Sequence, residues 1–189
     1  MSLRIKQTFP INNQELFKKQ LFSWSKQFET VAWLDSNNYH QNYTSFNGAL
    51  AFEEFTSIKT DYKGAFEKLK EYQSLTNDYI FGYISYDAKN DIEQLSSQNF
   101  DGLDFVDLFF FQPQKLIFIY KERVEFHYLK MVDDQVLADF HAIVNLDIPY
   151  EKELIRSREV KIKLRTHKDE YYSKINNLLE HIYKGDIYE

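Results

Sequence analysis

The stretch FVDLFFFQPQKLIFIYKERVEFHYL, residues 105–129, decides the fold. It holds three runs rich in Phe, Ile, Val and Tyr, at 105–111, 115–120 and 124–129. Aromatic and β-branched side chains of this kind fill a pleated, half-buried surface well. Gln112-Pro113-Gln114 and Lys121-Glu122-Arg123 separate the runs and are short enough for hairpin turns. Three consecutive antiparallel strands are therefore predicted.

Upstream, residues 3–9 alternate loosely and read as a strand. Asn12 or Asn13 then caps a helix carrying Leu16, Phe17, Leu21 and Trp24 at helical spacing. Residues 30–34 form a short strand, ended by the turn-formers Asp35-Ser36-Asn37-Asn38. A strand is expected at 46–55. An amphipathic helix follows at 61–75, with Tyr62, Phe66, Leu69 and Tyr72 on one face. A further strand at 79–86 gives way to a polar stretch reaching Asp101.

Downstream, residues 132–144 read as a helix, and 159–164 as a strand alternating Val160, Ile162 and Leu164 with charges. Thr166 with Asp169 or Glu170 makes a capping box for a last helix bearing Tyr172, Ile175, Leu179 and Ile182. Gly185 stands where a helix C-terminus favours positive φ. Asp186-Ile187-Tyr188-Glu189 reads as the start of another strand, which implies that the natural chain continues. Strands with interspersed helices and hairpins define an α+β class built on antiparallel sheet.

With 17 Phe and 14 Tyr among 189 residues, the chain has ample material for a packed core. It has no cysteine, which excludes disulfides, thiolate metal sites and a cysteine nucleophile. A net charge of −6 argues against nucleic acid as partner, since that role requires a basic field. No run of 18 apolar residues and no secretory leader is present, so a cytoplasmic protein without membrane association is expected.

The sequence carries few of the patterns that mark catalytic sites. The five histidines are scattered, and no serine elbow, phosphate loop or dinucleotide fingerprint occurs. Glu53-Glu54 reads as a solvated strand or turn end. The basic run Arg156, Arg158, Lys161, Lys163, Arg165 and Lys168 reads as a solvated face, with docking to an acidic partner as its sharper interpretation. The residues by themselves give a core and no active site.

Four segments, in order, resemble the N-terminal region of the large subunits of anthranilate and aminodeoxychorismate synthases. They are Trp33-Leu34-Asp35-Ser36 with Tyr43 and Phe46 downstream, and Gly82-Tyr83-Ile84-Ser85-Tyr86-Asp87. Asp107-Leu108-Phe109-Phe110-Phe111-Gln112-Pro113 follows. The last is the helix opening at Glu170-Tyr171 and closing with Lys184-Gly185-Asp186-Ile187-Tyr188-Glu189.

The resemblance implies one half of the chorismate-utilising synthase sandwich. Residues 1–165 would form the N-terminal domain, and 166–189 the opening helix and first strand of the chorismate-binding domain. It implies amination of chorismate toward para-aminobenzoate and folate, with a glutamine amidotransferase subunit supplying ammonia. Mg²⁺ and all catalytic groups would lie in the second domain, so this chain alone would be inactive and hold no cofactor. Ser85-Tyr86-Asp87 with Ile92-Glu93 looks more like the aminodeoxychorismate branch than the anthranilate branch. An amino-acid pocket of the tryptophan-binding kind would be lined by Leu34, Ser36, Tyr43 and Phe46. Ser45 stands where some relatives carry arginine. A free-standing amino-acid-binding or interaction domain is the reading from a different class.

Overall fold

The computed structural model describes residues 3–37, 39, 42–43, 45–93, 95–96, 100–148 and 162–188. The chain forms two compact units, Met1–Ile148 and Pro149–Glu189. In the first, β1 (Arg4–Pro10), α1 (Gln14–Ser25), β2 (Val31–Asp35), β3 (Gly48–Thr60) and α2 (Ala65–Thr76) are followed by β4 (Phe81–Ile84). A 3₁₀ turn (Tyr86–Ala88) leads into α3 (Lys89–Glu93). β5 (Leu108–Ile119), β6 (Arg123–Leu129), a 3₁₀ segment (Lys130–Gln135) and α4 (Val136–Val144) complete the unit. The six strands make one antiparallel sheet in the order β1-β6-β5-β3-β2, with β4 also paired to β5. This is the α+β class expected.

The decisive stretch departs from expectation at its centre. Gln112-Pro113-Gln114 is not a hairpin turn: β5 runs straight through it for 12 residues. One edge of β5 pairs with β3 from Leu108 to Ile119. The other edge is shared, β4 taking 108–111 and β6 taking 115–119. Between them lies a gap with no strand partner. The Pro113 carbonyl faces this gap and accepts from Arg4 Nη2 at 2.6 Å. The N–H that a strand residue directs the same way is the one proline lacks, so no donor is orphaned.

On the β3 side the register slips between Glu54 and Thr56. There the Tyr72 hydroxyl accepts the Gln112 N–H at 3.0 Å and donates to the Thr56 carbonyl at 2.8 Å. A side chain of α2 thus stands in for a missing rung of the ladder.

One face of the sheet carries α1 and α4. Phe17 and Leu21 of α1, with Val136 and Ile143 of α4, bury against Leu50, Phe52, Ile117, Ile119, Val124, Phe126 and Tyr128. Each such side chain contributes roughly 1.5–3 kcal/mol by leaving water. Asn13 is the N-cap of α1, its Oδ1 accepting the Leu16 N–H at 3.0 Å.

Within this layer Lys115 is buried. Its Nζ lies 3.0 Å from Glu53 and 3.0 Å from Asp139, and Tyr128 donates to Asp139 at 2.9 Å. Glu53 is therefore not the solvated residue expected. It adopts a positive φ of 57° beside the bulge and directs its carboxylate to a buried cation. Burial, and then the Asp139 charge, keeps the Tyr128 hydroxyl protonated.

The opposite face holds a smaller cluster of Ala49, Ala51, Phe111, Leu116 and Phe118. Beside Phe118 lies His127, with ring centroids 5.1 Å apart. The side chain of Glu125 is only 6% exposed, which by itself would raise its pKa. Lys6, Arg123 and His127 instead hold it down to about 2.

Several boundaries move. The strand expected at 79–86 shortens to β4: the Ser85 N–H still donates to the Asp107 carbonyl at 2.7 Å in the β4–β5 register, and the 3₁₀ turn then takes over at Tyr86. The stretch read as polar loop forms the Tyr86–Ala88 turn and α3. The helix read from 132 begins at Val136, after a kink at Val132 (φ −130°, ψ 19°).

In the second unit α5 (Lys168–Lys184) has His167 as N-cap with no side-chain bond, so the Thr166 capping box does not form. Gly185 closes it at φ +80° as expected. Asp186–Tyr188 are not a strand. The Asp186 N–H bonds the His181 carbonyl at 2.9 Å, and its carboxylate meets His181 Nδ1 at 2.7 Å. Of the strand expected at 159–164, residues 159–161 lie outside the described residues, as do Arg156 and Arg158 of the basic run; 162–164 have no regular structure. Among the described residues no helix is long and apolar enough to cross a membrane.

Candidate functional site

The amino-acid pocket expected from the sequence falls at the connection between β2 and β3. Antiparallel pairing sets Leu34 opposite Ala49 and Asp35 opposite Gly48. Beyond the strand end the Ser36 N–H donates to the Asn47 carbonyl at 3.1 Å, and the Asn47 N–H donates to the Ile119 carbonyl at 2.8 Å. Asp35 anchors the corner: its Oδ1 accepts from Lys18 Nζ of α1 at 2.8 Å and from the Asn37 N–H at 2.9 Å. Gly48 permits the close approach, since a Cβ there would lie 3.3 Å from Ile119 Cδ1 and 3.4 Å from the Leu34 carbonyl oxygen.

Of the four candidate residues, Leu34 lies in the β2–β3 pairing, and Ser36 and Phe46 lie just beyond it. Phe46 packs on Phe118 with ring centroids 5.1 Å apart. Leu34 is 47% exposed. The Ser36 hydroxyl is withdrawn from solvent and has no hydrogen-bond partner among the described residues. Tyr43 is 97% exposed. A buried hydroxyl without a partner carries a desolvation cost of about 1–3 kcal/mol, which a ligand's polar head group could relieve.

A cleft elsewhere in the first unit escaped the sequence reading. Asp61, Asp87, Asp101, Asp104 and Asp107 line a cleft of about 490 Å³ between α3 and the segment before β5. The only hint in the sequence was the density of aspartate near 101–107. The carboxylates do not converge. Asp107 accepts from the Tyr62 N–H at 2.9 Å and the Ser85 hydroxyl at 2.7 Å. Asp101 accepts from the Leu103 N–H at 2.9 Å and the Asp104 N–H at 3.1 Å, and these bonds hold its pKa below the usual range. Among the described residues no three His, Asp or Glu side chains form a metal-binding set, and these do not make a Mg²⁺ site.

The chorismate binding enzyme family matches residues 8–189, and the chain belongs to that family. A comparison with curated proteins found no match.

Proposed function

We propose that the chain is the N-terminal portion of an aminodeoxychorismate synthase large subunit, which aminates chorismate to 4-amino-4-deoxychorismate for para-aminobenzoate and folate synthesis. The family match over residues 8–189 carries the reading. The resemblance of Ser85-Tyr86-Asp87 and Ile92-Glu93 to that branch supports the choice over anthranilate synthase. In this reading residues 1–165 form the N-terminal domain and 166–189 open the chorismate domain. Ammonia comes from a glutamine amidotransferase partner, and Mg²⁺ binds to sequence outside this chain. The Pro-Ile-Lys-Gly-Thr segment that marks the aminodeoxychorismate branch does not occur within residues 1–189.

The test is turnover. Chorismate with ammonia and Mg²⁺ is expected to yield neither aminodeoxychorismate nor anthranilate on incubation with this chain, followed by chromatography and anthranilate fluorescence. Either product would overturn the assignment of the catalytic groups to other sequence.

The corner at Ser36 is read as the amino-acid pocket of this N-terminal domain. Apolar walls from Leu34 and Phe46 suit an indole, and the Ser36 hydroxyl suits its ammonium or carboxylate. Ser45 supplies no guanidinium, so the ligand lacks a charge-assisted contact and binding is expected to be weak, with a Kd of about 0.1–1 mM. Calorimetry with tryptophan should show saturable heat that Ser36→Ala reduces about tenfold in affinity. No heat at millimolar tryptophan would remove the pocket from the reading while leaving the family assignment intact.

A further inference from the structure

Beside the aspartate cleft, and sharing Asp87, Ser96, Asp101, Phe105 and Asp107 with it, lies a second lobe of about 730 Å³. The two lobes make one open groove. Part of its lining is apolar and faces water: Tyr86 is 82% exposed, Leu103 73% and Phe105 67%. Contiguous exposed apolar surface with a polar rim marks an interaction site rather than ordinary surface.

The rim has one sign. Asp61, Asp87, Asp101, Asp104 and Asp107 line the groove, and among the described lining residues Lys89 is the one cation. Lys89 is itself committed, 3.4 Å from Asp87 and 4.2 Å from the centroid of the Tyr86 ring. The aspartates are held in place by the turn hydrogen bonds of Asp101 and by Ser85 and Tyr62 on Asp107. That part of the rim is therefore preformed.

We propose that this groove docks a basic amphipathic segment of a partner protein, whose apolar side chains cover Tyr86, Leu103 and Phe105 while its Lys and Arg meet the aspartate rim. Charge complementarity selects that occupant. An anionic membrane surface or a nucleic acid is repelled by the same rim. A small cation would leave the apolar lining exposed. A helix with apolar residues at i, i+3 and i+4 and basic residues alongside fits both features at once.

The probe is a fluorescein-labelled 14-residue peptide of Leu and Lys with helical spacing, compared with its Leu/Glu counterpart by fluorescence anisotropy against the full chain. Binding of the basic peptide alone is expected, weakening as salt rises. Leu103→Ser combined with Asp104→Asn should weaken it about tenfold or more. Leu103 is solvent-exposed, and Asp104 sits at φ 53°, which asparagine tolerates, so this variant should fold. Asp133→Asn with Asp134→Asn removes two charges, against one in the groove variant, from an exposed site elsewhere and should leave affinity within about twofold. Equal losses in the two variants would show non-specific attraction to an acidic protein and overturn the proposal. So would concentration-dependent self-association, seen by sedimentation, that the groove variant abolishes; that result assigns the surface to a second copy of the chain.

Discussion

Gly82→Ala is expected to destabilise the first unit by about 3 kcal/mol or more, because no methyl group can be placed there. A Cβ on Gly82 would lie 1.9 Å from the Phe109 carbonyl oxygen and 2.6 Å from the Phe110 Cα. Both obstacles are backbone of β5, so no rotamer change relieves them. The only escape is for β4 to move away from β5 and lose the pairing from Phe81↔Phe111 to Ile84↔Leu108. Urea unfolding followed by circular dichroism measures the effect, with Gly48→Ala as the comparison. At Gly48 the closest atom is the tip of the Ile119 side chain at 3.3 Å, which can yield, so a loss within about 1 kcal/mol is expected. Equal midpoints for the two variants would mean that β4 and β5 are not in the close contact described. The Gly-hydrophobic-hydrophobic-x-Tyr-Asp resemblance thereby acquires a physical reason: the position accepts a backbone and nothing larger.

Arg4→Met is the second large effect, expected at about 3–5 kcal/mol. Arg4 Nε and Nη2 hold the Asp78 carboxylate at 2.8–3.0 Å, with both side chains 6% exposed. The same guanidinium donates to the carbonyls of Pro113 at 2.6 Å, His127 at 2.9 Å and Gln114 at 3.3 Å. Methionine fills the space of the stem but leaves a buried carboxylate and three carbonyls without this donor. Adding Asp78→Asn should restore part of the loss, and the double-mutant cycle measures the coupling.

The pH dependence gives an independent reading. Burial alone would raise the Asp78 pKa, but Arg4, Gln112 and the Tyr79 N–H together lower it. Stability from this group is therefore fully present above the ordinary carboxylate pKa and is lost as pH falls through the depressed folded value. Without Arg4 the burial effect is less opposed, so the deficit of the variant should shrink as the solution is acidified. A deficit independent of pH would rule out an ionised Asp78 as its origin.

What the sequence disclosed follows from which signals are local. Asn13 and Gly185 were legible because a cap is a property of a few neighbouring residues. The amphipathic spacing of α1, α2 and α5 was legible for the same reason. Pro113 misled because its position in the sheet depends on a distant event, the parting of β4 from β6 along β5, which Arg4 then seals from 109 residues away in sequence. Glu53 misled similarly: nothing near it announces that Lys115 will be buried beneath it. At the candidate corner, Leu34 lies in the β2–β3 register opposite Ala49, Ser36 and Phe46 lie beyond the paired residues, and Tyr43 is exposed to water. The aspartate groove was hidden because it joins segments near residues 61, 87 and 101–107, which only the folded sheet makes neighbours.

The pairing of β1 with β6 has a consequence for how the protein is made. Arg4 meets Leu129, so β1 leaves the ribosome roughly 125 residues ahead of its partner. At a synthesis rate of about 5–20 residues per second, that delay is on the order of ten seconds. During it β1 is an unpaired edge of the kind that recruits other nascent chains. Arg4, Lys6 and the terminal Pro10 are the residue types that discourage such recruitment, so the guanidinium that later closes the gap in the sheet also guards the strand while it waits.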